Sequence, residues 1–313
     1  MEQRFFATLP PAGQLVFTLL IILVSFFLVS LLSILFGILI FGIPMQDWIS
    51  LADLNDPAET GILKYLQITQ ALGIFVIPPL VVGFLAQRNP LHYLTLHRHI
   101  RWRPLFLVIL ILGAGLPVIN MLAIWNEGLN LPRFLNGIES WMGQTEEQAA
   151  RLTELFLRAD RFSIYLVNLF MVAIIPAFGE EFLFRGVLQR IFTKWFMNPH
   201  LAILLASILF SALHLQFYGF LPRMALGLLF GYLFYWSGKL WYPVIAHFVN
   251  NFIPVTLVYL YGNQLSIEEM GTIGSGQQPL LWAIPSLFIL LLLLYWFKKL
   301  HHQNLTKTEN PSP

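Results

Sequence analysis

Runs of apolar residues long enough to cross a lipid bilayer recur along this chain, and they restrict its fold more than any other feature. About 20 apolar residues span the roughly 30 Å of hydrocarbon, and the run from Leu15 to Ile43 exceeds that length. The composition agrees, because 57% of the 313 residues are hydrophobic and 11% are charged, against roughly 25% charged in a soluble domain. Backbone groups inside a bilayer must satisfy their own hydrogen bonds, which favours helices. We therefore predict an all-α polytopic membrane protein with an intramembrane polar site.

The apolar pattern predicts about eight transmembrane helices, and the loop charges predict their orientation. Loops 44–60 and 262–278 carry acidic residues and no Lys or Arg, whereas the loop at 88–103 is rich in arginine. By the positive-inside rule, both termini should be cytoplasmic, and we expect the protein in the plasma (inner) membrane. The predicted spans are residues 15–43, 63–86, 104–125, 163–192, 200–217, 220–238, 241–261 and 280–297.

Charge and cysteine content exclude several classes of function. The net charge of +2 is too small to indicate a nucleic-acid partner, so we expect none. The chain has no cysteine, which excludes thiol nucleophiles, disulfides and cysteine-bound metals. Nothing in the sequence indicates an oligomeric state.

The longest loop between predicted spans contains an amphipathic segment. Residues 145–160 have Ala149, Leu152, Leu155 and Phe156 at helical spacing behind a capping pattern, which predicts a helix on the outer membrane interface. The chain thus divides into four predicted regions. Residues 1–162 form the N-terminal helices with this outer loop, and residues 163–256 form a core that carries the polar motifs. Residues 257–300 contain the last helix, and residues 301–313 form a cytoplasmic tail that is predicted to be disordered.

Three charged residues stand together within the fourth predicted span. Glu180, Glu181 and Arg185 are surrounded by apolar residues, and each charge at that depth costs roughly 2.5 to 3.5 kcal/mol on the translocon scale. Glu181 and Arg185 have the i, i+4 spacing of an ion pair, whereas Glu180 points about 100° away around the helix. Glu180 is therefore left free to act as a general base on water.

Polar residues on two later spans are expected at a similar depth. Phe210 and His214 are one turn apart on the fifth predicted span, and His247 and Asn251 are one turn apart on the seventh. Counting about 1.5 Å per residue from the span ends puts Glu180 and His214 each roughly 20 Å from the cytoplasmic boundary. The combination indicates a chemical site.

Two chemistries fit these residues. In the first, Glu180 and His214 activate a water molecule while His247 and Asn251 donate hydrogen bonds to the oxyanion of a scissile amide. In the second, Glu180, His214 and His247 bind zinc, which lowers the pKa of its bound water. The cofactor is thus either absent or zinc, and spacing does not separate the two.

Three motifs in order on successive apolar segments resemble the CAAX protease and bacteriocin-processing (CPBP) family of intramembrane endopeptidases. The resemblance covers about residues 163–256. The motifs are Glu180-Glu181-x-x-x-Arg185, Phe210-x-x-x-His214 and His247-x-x-x-Asn251.

The resemblance implies an eight-helix intramembrane protease that acts on a membrane-associated protein or peptide. Eukaryotic members of the CPBP family remove the last three residues of prenylated CAAX proteins, and bacterial members are associated with bacteriocin maturation or immunity. The family implies that Glu180 is the general base, that His214 assists it, and that His247 and Asn251 are oxyanion donors. Glu181 and Arg185 then have supporting roles. Family members are described both as metal-dependent and as glutamate proteases.

A second class of function uses the same polar residues without catalysis. A bacteriocin-immunity protein or a transporter could line a cavity with them. Transporters commonly contain inverted repeats with paired broken helices, and the sequence shows no matching pair. Intramembrane peptide hydrolysis is therefore the leading hypothesis.

Overall fold

The computed structural model describes residues 5–42, 60–129, 131–262 and 279–309. Every regular element in these ranges is helical, which confirms the predicted all-α fold. The main helices are α1 (Pro11–Phe41), α2 (Thr60–Gln87), α3 (Trp102–Glu127), α4 (Asn136–Leu157), α5 (Phe162–Phe196), α6 (Pro199–Ala212), α7 (Phe220–Ser237), α8 (Trp241–Tyr261) and α9 (Pro279–Glu309).

Seven segments of the described chain are long and apolar enough to cross a membrane, and they correspond to α1, α2, α3, α5, α7, α8 and the first part of α9. The fifth predicted span, 200–217, is the exception, because α6 has only 14 residues, or about 21 Å. The chain leaves the helix after Ala212, and Leu215 adopts a left-handed φ of 53°. His214 therefore lies in the turn beyond α6 and not within a helix.

The last helix extends past residue 300, to Glu309, into the segment predicted to be a disordered tail. The His301 ring is buried against Tyr242 and Phe297, at centroid distances of 5.3 and 4.5 Å, and this packing anchors the continuing helix. Nearly all of the predicted acidic loops 44–60 and 262–278, and residues 310–313 of the tail, lie outside the described residues.

The amphipathic segment forms α4, but the predicted start at Thr145 is wrong. The helix begins at Asn136, and the Thr145 hydroxyl donates to the Trp141 carbonyl one turn earlier, at 2.9 Å, instead of capping a new helix. Trp141 packs on Phe217 with ring centroids 5.2 Å apart. These contacts place α4 across the turn between α6 and α7.

In two of the long helices, a π-helical turn lies just before an interior proline. Residues Leu72–Val76 form such a turn before Pro78 in α2, and Phe170–Ile174 form one before Pro176 in α5. Since proline has no N–H, the carbonyl four residues earlier loses its usual donor. Pro176 lies just before Glu180, and it leaves the Val172 carbonyl free to accept a hydrogen bond from Asn251 at the candidate site.

Two glycines on α7 allow close packing against α6. A Cβ atom added at Gly227 would lie 2.9 Å from the Ser207 Cβ, and one at Gly231 would lie 2.7 Å from Ile203 Cγ2. Both distances are below normal contact, so only glycine fits. The small-residue spacing on α7 thus acts as a helix-packing motif, as is common in membrane proteins.

Candidate active site

A buried charge network joins α5, α7 and α8. Glu181 Oε1 accepts a hydrogen bond from Arg185 Nη1 at 2.8 Å, as the i, i+4 spacing predicted. The same oxygen lies 2.9 Å from His247 Nδ1, and an ionised carboxylate only accepts, so Nδ1 donates. Arg185 Nη2 donates to the Gly227 carbonyl at 2.9 Å. The network fixes the position of the His247 ring and places its Nε2 atom on the side of Glu180.

Aromatic rings surround the Arg185 guanidinium, which is almost fully buried. Its Cζ lies 4.7 Å from the Phe210 ring centroid and 5.5 Å from that of Phe230, and Phe230 also stacks on His247 at 5.3 Å. Cation–π contacts of this kind stabilise a desolvated guanidinium. Phe210, predicted as a supporting residue, thus packs between the arginine and the two histidines, with His214 at 5.2 Å and His247 at 5.9 Å.

Glu180 is buried but lies outside this network. Its Oε2 atom has no hydrogen-bond partner in the part of the chain that the structure describes, and it lies 3.9 Å from His247 Nε2. Leaving a buried polar atom unpaired costs about 1 to 3 kcal/mol, and more for a charged group. The two adjacent glutamates therefore meet opposite ends of the same imidazole ring under very different conditions.

His214 presents one nitrogen to the site. Its Nδ1 atom lies 2.8 Å from the Phe210 carbonyl and must donate to it, because a carbonyl oxygen has no proton to offer. In the neutral ring, Nε2 then carries the free lone pair. His214 lines the same cavity as Glu180 and His247, so the structure brings all three together although His214 lies beyond α6.

Asn251 contacts the backbone at the proline interruption of α5. Its Nδ2 atom donates to the Val172 carbonyl at 3.0 Å, and its Oδ1 accepts from Asn250 Nδ2 at 3.1 Å. Val172 is four residues before Pro176, so this carbonyl is one that lost its helical donor. Asn251 thus ties α8 to α5 and keeps a second amide N–H for another acceptor.

These residues surround a cavity of about 400 Å³. Helix α4 contributes Ala149, Leu152 and Phe156 to its wall, which are members of the apolar face predicted from the sequence. Gln216 and Arg223 also line the cavity, although neither was predicted to do so from the sequence. The position of Arg223 near the start of a predicted span could have indicated that it belongs to the polar site.

The zinc alternative requires three side chains that converge on one metal ion. Among the described residues, no group of three His, Asp or Glu side chains has such an arrangement. His247 Nδ1 donates to Glu181 and His214 Nδ1 donates to the Phe210 carbonyl of α6, and bonds of this kind leave the Nε2 atoms as the possible metal ligands. The zinc ligand set of Glu180, His214 and His247 stays a prediction.

The part of the chain that carries the site also matches a known protein family. Residues 162–253 match the family described as type II CAAX prenyl endopeptidase Rce1-like. The uncharacterized protein YpbD of Bacillus subtilis (strain 168) is 34% identical over 86 residues, which are 26% of this chain and 41% of YpbD. No solved structure matches the chain. The resemblance drawn from the three motifs is thereby confirmed: residues 162–253 of this multi-pass membrane protein are similar to the Rce1-like type II CAAX prenyl endopeptidase family.

Proposed function

We propose that this protein is an intramembrane endopeptidase that hydrolyses a peptide bond of a membrane-associated protein or peptide. The observation that carries the proposal is Glu180, a buried carboxylate without a hydrogen-bond partner among the described residues, which faces a cavity beside His247 and His214. An unpaired carboxylate at this depth is costly, and general-base chemistry supplies a reason to keep it. The match to a protease family over residues 162–253 supports the same class of reaction.

The separation of Glu180 and His247 suits an attacking water molecule. Two atoms 3.9 Å apart can both form hydrogen bonds of about 2.8 Å to one water. In the proposed reaction, Glu180 takes a proton from this water as its oxygen adds to the carbonyl carbon of the scissile amide. When the C–N bond breaks, the protonated Glu180 returns that proton to the leaving amine.

His214 and His247 have different proposed roles because their Nδ1 atoms have different partners. His214 Nδ1 donates to a backbone carbonyl, so its Nε2 lone pair can orient the attacking water together with Glu180. His247 Nδ1 donates to Glu181, and with a proton on Nε2 as well the ring can donate to the oxyanion. Asn251 has a second amide N–H for the same purpose.

We further propose that the reaction depends on glutamate and not on a bound metal ion. The support is that no group of three His, Asp or Glu side chains among the described residues has the arrangement of a metal site. Activation of water by a carboxylate needs only the groups already in contact with the cavity. Processing near a protein C terminus, as in CAAX-type proteases, is the substrate class that we favour.

The test compares the protein termini of membranes that contain the wild-type chain or Glu180→Gln at equal abundance, by mass spectrometry. Glutamine keeps the size of the side chain and removes the base, so new termini should be present with the wild type and absent with the variant. Glu147→Gln, which alters an exposed carboxylate on α4, is the matched control and should behave as wild type. Identical termini in all three samples would contradict the protease proposal and favour an immunity or transport role.

A further inference from the structure

Arg223 is a cation on the wall of the candidate active site that none of the three motifs contains. It lies near the start of α7 and lines the cavity together with Glu180, His214 and His247. Glu180 and His214 are close enough to interact with its charge, but neither forms a hydrogen bond with it in the described part of the chain. No ion pair joins Arg223 to a carboxylate within 4.0 Å in the described part of the chain.

The turn between α6 and α7 holds the Arg223 guanidinium in place through neutral acceptors. Nη1 donates to Gln216 Oε1, Nη2 to the Gln216 carbonyl at 3.2 Å, and Nε to the Gly219 carbonyl at 3.3 Å. An arginine has five N–H donors, so one N–H on each terminal nitrogen remains available. All of these acceptors are neutral, and the two carboxylates that attract the Arg223 charge, Glu146 and Glu180, lie beyond the 4.0 Å of an ion pair.

Gly219 makes this position possible. A Cβ atom at residue 219 would lie 2.0 Å from Arg223 Nη2 and 2.8 Å from Cζ, so any other residue would displace the guanidinium. The glycine and the two Gln216 acceptors together form a cradle for the charged group. Such a preorganised fork is the arrangement that binds a carboxylate or phosphate with two parallel hydrogen bonds.

The size of the cavity indicates which anion it takes. A volume of about 400 Å³ is near the lower end of the range for ligand pockets, so it holds a short end of a peptide and not a long folded segment. The anionic group that every unmodified peptide end carries, whatever its sequence, is the C-terminal carboxylate. We propose that Arg223 is a specificity-determining residue that binds the free C-terminal carboxylate of the substrate and so directs cleavage close to a chain end; this inference rests on the proposed peptidase function.

The experiment compares two peptides of identical sequence, one ending in a free carboxylate and the other in an amide, with the purified full chain in lipid nanodiscs. We expect the wild type to cleave the free acid with a kcat/KM roughly 10- to 100-fold higher, as for a lost charge-assisted hydrogen bond. In Arg223→Gln, the acid-to-amide ratio should fall to about one. Arg223→Lys keeps the charge but loses the fork, so its ratio should lie between the two.

Arg151→Gln removes an exposed arginine on α4 and should keep the wild-type ratio. Because the ratio is measured within each variant, differences in yield or total activity do not affect it. An unchanged ratio in Arg223→Gln, with cleavage still dependent on Glu180, would overturn the carboxylate assignment and leave the peptidase function standing. If the wild type cleaves neither peptide, both proposals fall together.

A lipid phosphate is the other source of an anion for the same fork. To distinguish it, the assay is run in zwitterionic nanodiscs and in nanodiscs that also contain anionic lipid. Binding of a substrate carboxylate predicts that the acid preference depends on Arg223 in both. If Arg223→Gln instead changes only the effect of anionic lipid on kcat/KM, and changes it equally for the two peptides, the proposal that Arg223 binds the substrate carboxylate is wrong.

Discussion

Glu180 and Glu181 are neighbours in the sequence, yet they belong to two regions of opposite character. Glu181 belongs to a charge network in which Oε1 accepts from both Arg185 and His247, although its Oε2 has no hydrogen-bond partner among the described residues. Glu180 belongs to the cavity region, where it accepts no hydrogen bond from the described residues and lies beside His214 and Arg223 on the wall. The comparison indicates that paired buried charges hold these helices together, whereas the unpaired charge is available for chemistry. The four predictions below test this division.

The largest effect should come from replacing the two glutamates separately. Glu180→Gln should lower kcat/KM by roughly 10²- to 10⁴-fold, the usual contribution of a general base, while the unfolding midpoint in detergent stays near that of the wild type. Glu181→Gln should mainly lower stability, because it removes the carboxylate that Arg185 and His247 share. Full activity in Glu180→Gln would contradict the proposal that Glu180 acts in catalysis while Glu181 stabilises the fold.

Arg185→Met tests the network from its other side. It leaves Glu181 buried without its cation, and breaking a buried ion pair in this way costs about 3 to 5 kcal/mol. The double variant Glu181→Gln/Arg185→Met should be more stable than Arg185→Met alone, since residue 181 then carries no charge that has lost its cation. Stability is measured by denaturant or thermal unfolding in the same detergent.

The control for this series is Arg151→Met, which breaks an exposed pair with Glu147 and should cost less than about 1 kcal/mol. Equal unfolding midpoints for Arg185→Met and Arg151→Met would show that the buried network contributes little to stability.

Gly231→Ala should have a smaller effect on the same packing. The added Cβ would lie 2.7 Å from Ile203 Cγ2, and overpacking of this kind costs about 1 to 3 kcal/mol. Gly113→Ala on α3 is the matched control, because nothing lies within 4 Å of a Cβ there; it should be neutral or stabilise by up to about 1 kcal/mol. A Gly231→Ala protein as stable as Gly113→Ala would contradict close α6–α7 packing.

Metal removal should have the smallest effect of all. If carboxylate chemistry suffices in the cavity, activity should persist after dialysis against a chelator, with less than one metal ion per chain by elemental analysis. A loss of activity that zinc restores would instead assign the cavity residues to a metal site, with the histidine Nε2 atoms as ligands.

The sequence alone determined those features of this protein that depend on local spacing. Apolar runs of bilayer length predicted helices, because backbone groups in hydrocarbon must bond within their own segment. The Glu181–Arg185 pair followed from helical periodicity, which places these two residues on one face. The polar motifs also identified the family before any contact was known.

The tertiary structure decided which of these groups meet. Counting along helices could not show that His247 bonds to Glu181, or that Asn251 donates to the Val172 carbonyl, because both contacts join separate helices whose approach depends on kinks and close packing. The same reason explains why Arg223 and the α4 face were not assigned to the cavity. Helix geometry is set by each segment, but the partners of buried polar groups are set by how segments pack, and the site depends on those partners.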